Sequence, residues 1–188
     1  MKKAPASSAA RRASSATPAA TSADPTARRA PWVVPVARRA ARWAPSCANE
    51  QSWQFYHAKD DASRALFLSF LNEANQYWAK NASHIIIVCA RKTFAASGKP
   101  NAHSWYDAGA AWMSLALQAR KMGYHAHCMA GIQHAVIADA LKIDTSAVDI
   151  VTAIAVGKQG DASHLNERHK AQEAPNARKP QSEFVFAV

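Results

Sequence analysis

Residues 41–55 read ARWAPSCANEQSWQF, and the reading of this stretch decides the fold. Small and amphipathic residues run up to Pro45. A helix must stop there, because proline lacks an amide proton and restrains the residue before it. The aromatic run of Trp53, Phe55 and Tyr56 then reads as a strand. Between the two lie Ser46, Cys47, Asn49, Glu50 and Gln51. A plain connecting turn would use Gly, Asp or a second Pro. This one offers a hydroxyl, a thiol, two amides and a carboxylate, a set suited to holding something polar and planar.

Towards the C-terminus the pattern is globular. DASRALFLSFLNEANQYWAK, residues 61–80, opens on an Asp or Ser cap and reads as one helix. HIIIVCA (84–90) and DIVTAIAVG (149–157) are continuous apolar runs of strand length. Ala108, Trp112, Leu115, Ala119 and Met122 recur on one helical face, and Gly123 supplies a stop. Gly109, near the start of that helix together with Asp107, reads as a point of close approach by another element. YHAHCMA is a strand, HAVIADALK a helix, and EFVFAV a terminal strand. Helices and strands alternate without an internal repeat. The class is α/β in the broad, α+β sense: a mixed central sheet flanked by helices.

Towards the N-terminus the composition changes. Residues 1–42 contain no Leu, Ile, Phe, Tyr, Gly, Asn, Gln or Glu. Such a segment cannot bury enough apolar surface to offset its ordering entropy. Residues 1–37 read as a disordered basic arm and residues 38–188 as the folded domain. Charge divides the same way: residues 1–42 carry a net +8, residues 43–188 only +2. The nearly neutral body argues against nucleic acid as the main partner. No apolar run approaches the length of a membrane span, and three cysteines without C-x-x-C spacing suit a reducing cytoplasm.

Neither a G-x-G-x-x-G fingerprint nor a P-loop occurs, and no G-x-S-x-G elbow surrounds a serine. His125 and His127 share one face of a strand with Cys128 beside them, but two ligands do not make a metal site. No metal is expected.

AARWAPSCANEQSWQF resembles the A-R-x-A-P-S-x-x-N-x-Q-P-W signature of the nitroreductase family of FMN-dependent oxidoreductases. NQYWAKNASHIIIVCA, YDAGAAWMSLALQARKMGYHAHCMAGI, VDIVTAIAVGKQGD and APNARKPQSEFVF resemble further family segments in the same order, across about residues 39–188. The resemblance implies FMN as cofactor, NADH or NADPH as donor, and a small nitroaromatic, quinone or similar acceptor, used in a ping-pong cycle. It implies a homodimer that exchanges its C-terminal strand. Carried over by motif position, Pro45, Ser46, Cys47, Asn49 and Gln51 line the flavin, and Asn75 contacts it. Ala130 and Gly131 form the turn against the ring, and Arg178, with Lys179 adjacent, holds the phosphate. No side chain is assigned as catalytic acid or base. Cys47 is read as a small residue filling space rather than a redox thiol.

Two departures stand out. Ser52 occupies a position where the family usually has Pro, and the family's N-terminal R-R-S-x-R-x-F motif and Leu-rich first helix are missing. Two alternatives follow: a flavin-binding relative with impaired catalysis, or a non-enzymatic binder of acidic partners through the basic arm.

Overall fold

The run His84–Arg91 (β2) alternates its side chains between two cores. Ile85, Ile87 and Cys89 enter one, and Ile86, Val88 and Ala90 the other. A strand buried on both faces needs an apolar residue at every position, which HIIIVCA supplies. The computed structural model describes residues 33–187. Before β2 come α1 (Val33–Arg42), β1 (Trp53–His57), α2 (Asp61–Ser69) and α3 (Glu73–Ala79). After it come α4 (Ser104–Lys121), β3 (His125–Met129), α5 (His134–Leu141), β4 (Val148–Gly157) and α6 (Glu167–Ala171).

The sheet order is β1-β2-β4-β3, and each of these pairings is antiparallel. The α+β class holds. A bulge between Val88 and Cys89 shifts the β2–β4 register, and β4 keeps its own two-faced burial across it. Helices α1 and α4 cover one face, and α2, α3 and α5 the other. Helix α4 buries Ala108, Ala111, Leu115 and Ala119, while Trp112 and Met122 pack partly buried against the same core. It ends in a Schellman motif. Gly123 takes φ +78° and donates to Arg120 O, and Tyr124 N reaches back to Ala119 O.

Four expectations change. First, α1 starts at Val33, inside the segment read as arm, and Val33, Val34 and Ala37 are buried. Composition over 42 residues averaged a valine-bearing helix into its neighbours; residues 1–32 lie outside those described. Second, residues 61–80 form two helices, not one. Asn72 breaks the run because its side chain accepts Asn75 N at 2.9 Å, a cap that starts α3. Leu71 meanwhile bridges to Ile132. Third, residues 184–187 form no strand within the chain, and Phe184, Val185 and Phe186 are exposed. A strand needs an edge to pair with, and among the described residues the tail pairs with neither edge strand, β1 or β3. Fourth, a Cβ on Gly109 would meet nothing within 4 Å, so no element among the described residues approaches it.

At one end of the sheet, His57 Nε2 and His84 Nδ1 lie 3.1 Å apart. Burial, then the charges of His84 and Arg38, push the His57 imidazole down to about 4. The unfolded chain therefore takes up this proton first, near the ordinary value of 6.5. Stability should fall as pH drops from about 6.5 towards 4, by at most about 3 kcal/mol and less where solvent still reaches the ring. Denaturant titrations across that range should show a shallower decline in His57→Gln. The early start of α1 is checked by Val34→Ala, which should cost roughly 2 kcal/mol from two buried methyl groups and the space they leave. A residue in a solvated arm would cost nothing.

Candidate active site

The loop that leaves α1 is wound tightly. Asn49 N donates to Ser46 O and Glu50 N to Cys47 O, both at 3.0 Å, making a single 3-10 turn at Cys47–Asn49. Ala48, Asn49 and Gln51 all take φ between 50° and 55°. Asn visits this left-handed region readily, but Ala and Gln do so at a cost of about 1 kcal/mol or more each. Such strain persists only where surrounding structure over-determines it.

The restraints are visible. Asp107, in the first turn of α4 and only 3% exposed, accepts Cys47 N on Oδ2 at 3.1 Å. Ser46 Oγ accepts Gln51 N at 3.0 Å, and Gln51 Nε2 donates to both oxygens of Asn49 at 3.2 Å. Glu50 Oε1 accepts Arg91 Nη2 at 2.7 Å and Ala95 N at 3.0 Å. Pro45, Asn49 and Gln51 stay exposed, with Ser46 and Cys47 half-buried between them. The loop thus holds a fixed polar surface outward.

A second group forms where β3 leaves the sheet. Gly131 O accepts Asn75 Nδ2 at 3.1 Å and Asn72 N at 3.0 Å. The cap that splits α2 from α3 therefore also delivers Asn75 to this turn. Gln133 Nε2 bonds Ser69 O at 2.7 Å and Leu71 O at 3.2 Å, locking the turn to the helix break. Thr152 Oγ1 donates to Met129 O at 2.8 Å and lies 3.0 Å from Cys128 Sγ. Burial pushes the Cys128 thiol up, and Cys89 more strongly, to about 12, so neither thiol is poised as a thiolate. His127 packs edge-on against Trp78 and His125 bonds Arg120; among the described residues no three ligand-type side chains gather.

The third group is the tail. Arg178 donates to Asn176 O and Ala177 O at 3.0 and 3.2 Å, and Lys179 pairs with Glu183 at 3.6 Å. Both basic side chains are exposed.

The structure brings Asn75 to Gly131, and Ser46 and Asn49 to Gln51. It does not join the two groups within one chain. The loop enters β1 and the turn leaves β3 at the same end of the sheet, on opposite edges. Three strand spacings separate them, about 14 Å. Sequence reasoning missed Asn72, Asp107, Glu50 and Arg91 as organisers. Asn72 was legible, as an Asn followed by an acid in the first turn. The partners of Asp107 and Glu50 lie 60 and 41 residues away in sequence and leave no local signal.

The model of the nitroreductase family matches residues 62–158. A solved structure described as an oxidoreductase containing FMN is 37% identical, with a TM-score of 0.83, covering 90% of this chain and 86% of its own. The chain belongs to the nitroreductase family. Among more distant members of the fold is a candidate nitroreductase from Desulfovibrio desulfuricans solved with FMN, at 22% identity, TM-score 0.68 and 92% coverage of both chains. A candidate NAD(P)H:FMN oxidoreductase from Staphylococcus epidermidis is 16% identical, with TM-score 0.68 and coverage of 84% and 85%. Among curated proteins none matches. The family match includes Asn75, Ala130 and Gly131 and leaves residues 45–51 and 178–179 outside.

The nitroreductase turn at Gly131 has no room for a side chain. A Cβ there would fall on Asn72 Nδ2 and lie 2.7 Å from Asn75 Nδ2. Gly131→Ala should push Asn75 off the turn and cost about 1–3 kcal/mol, read from denaturant melts. A variant as stable as the wild type would mean that the two amides move aside freely.

Proposed function

We propose that this nitroreductase-family chain is an FMN-dependent oxidoreductase. In this reading hydride from NADH or NADPH passes through the flavin to a nitroaromatic, quinone or similar flat acceptor, donor and acceptor taking turns at one site. The observation that carries the reading is the 37% identity, over nine-tenths of the chain, to an oxidoreductase containing FMN. The donor set agrees with it. Hydroxyl, amide and main-chain groups on a strained, pre-set loop suit the polar edge of a flat ring, and a guanidinium suits a phosphate. FMN, when bound, supplies the redox chemistry itself.

The chain's own residues have the remaining tasks. Pro45, Ser46, Cys47, Asn49 and Gln51 line one side of the ring, and Asn75 with Ala130 and Gly131 line the other. Arg178, with Lys179 beside it, holds the phosphate. The left-handed loop keeps its donors aimed before the ligand arrives, so little reorganisation accompanies binding. No acid or base is needed from the protein, and none is assigned.

The same placement supports a homodimer. Loop and turn lie on opposite sheet edges, so two chains can each give one half of a site. Helix α4 leaves Trp105, Tyr106, Met113 and Leu117 exposed on one flank, alongside the open position at Gly109. The exposed Phe184, Val185 and Phe186 are the tail expected to pair with the partner. No helix among the described residues is long and apolar enough to cross a membrane, and the three cysteines are free, which suits the cytoplasm.

A second reading rests on the missing N-terminal arginine motif: a relative that binds flavin weakly and turns over poorly. Purified protein titrated with FMN should gain a bound flavin spectrum and oxidise NADH or NADPH; flavin bound without turnover would favour the second reading. Arg178→Ala should weaken FMN by about 10- to 150-fold, the worth of a hydrogen bond to a charged group. Wild-type affinity in that variant would place the phosphate elsewhere. Sizing chromatography should give a dimer, and a stable flavin-loaded monomer would remove the shared-site account.

A further inference from the structure

We infer that the Glu50–Arg91 pair is the positioning device of the flavin-facing loop, holding its left-handed backbone from behind without touching the ligand. This rests on the FMN reading above. Glu50 sits between Asn49 and Gln51, which are exposed, yet its own side chain is only 11% exposed and points inward. Its Oε1 receives Arg91 Nη2 at 2.7 Å and Ala95 N at 3.0 Å. The same Nη2 reaches Glu50 O at 3.1 Å, and Arg91 N donates to Ser52 O at 2.9 Å. Arg91 therefore grips residues 50 and 52, on either side of Gln51 with its φ of 50°. At the loop's other end Asp107 holds Cys47. Ala48 and Asn49, the other two left-handed residues, lie between these anchors.

A surface ion pair would contribute little. This one differs because the carboxylate also satisfies a backbone N–H from the connection after β2, and the arginine also satisfies a loop carbonyl. Opening it would release Gln51 from its strained conformation and let Asn49 lose its partner. The consequence falls on ligand geometry more than on the core, since Glu50 belongs to neither buried cluster.

The experiment uses FMN-loaded protein as wild type, Glu50→Ala, Arg91→Ala, their double variant and Glu50→Gln. Flavin release is followed by fluorescence, and the bound flavin's absorption band and midpoint potential are measured. Glu50→Ala and Arg91→Ala should each weaken FMN about tenfold, and the double variant should be no worse than the poorer single one. Both single variants should move the potential and the band in the same direction. Glu50→Gln keeps an oxygen acceptor and should restore most of the affinity. A charge effect acting through space would instead move the potential in opposite directions in the two variants, and that result overturns the inference. So does unchanged affinity and spectrum. Should an alanine variant fail to fold, Arg91→Lys keeps the charge and the main-chain bond to Ser52 but not the guanidinium's reach to Glu50 Oε1 and Glu50 O; it should still weaken FMN, and wild-type behaviour would sink the idea. A wild type that binds no FMN removes the functional reading instead, so the two failures are distinct.

Discussion

The antiparallel pairing of β2 with β4 is the constraint from which the rest of the molecule is built. Both strands are buried on both faces, so each helix must choose one of two cores. Their register, from His84 against Val156 to Arg91 against Val148, sets which strand ends face which way. At the Arg91 end emerge the loop before β1 and the turn after β3, the two places where polar groups are held at the surface. At the other end sit His57 and His84, close together, with burial holding the His57 imidazole short of its proton. One ladder thus separates the end proposed to face the flavin from an end that responds to acid.

The loop at residues 45–51 shows how tertiary contacts sustain a conformation that local preference opposes. Three consecutive or near-consecutive residues without glycine occupy the left-handed region. Each could relax by turning its peptide, and none does, because Cys47 N, Gln51 N and the Glu50 carboxylate have all found partners. Two of those partners, Asp107 and Arg91, come from elements that flank the sheet end. The loop is rigid because the sheet and α4 are rigid.

The exposed apolar surface follows one logic with the split site. Helix α4 spends its alanine face on the core and leaves large residues on the opposite flank. The tail leaves Phe184 and Phe186 exposed and pairs with no strand among the described residues. The proposed homodimer would complete both features together with the two halves of the proposed flavin site.

By itself the sequence determined the class, the four strands of the sheet and most helices, though not the fate of EFVFAV, because periodicity and continuous apolar runs are local signals that burial then obeys. HIIIVCA, the face of α4 and the Gly123 stop are of this kind. It also marked residues 45–51, Asn75 and Gly131 as belonging to a family pattern. What it left hidden was long-range or averaged away. The start of α1 at Val33 was masked by the composition around it, and the bridge from Leu71 to Ile132, beside the locally capped break at Asn72, joins residues 61 apart in sequence. The grip of Asp107 on Cys47 and of Arg91 on Glu50 joins residues 60 and 41 apart, which only the folded sheet brings together. Local chemistry chose the polar groups of the loop proposed to face the ligand; the tertiary structure alone decided what holds them, because strain in a loop can be opposed only by contacts from outside it.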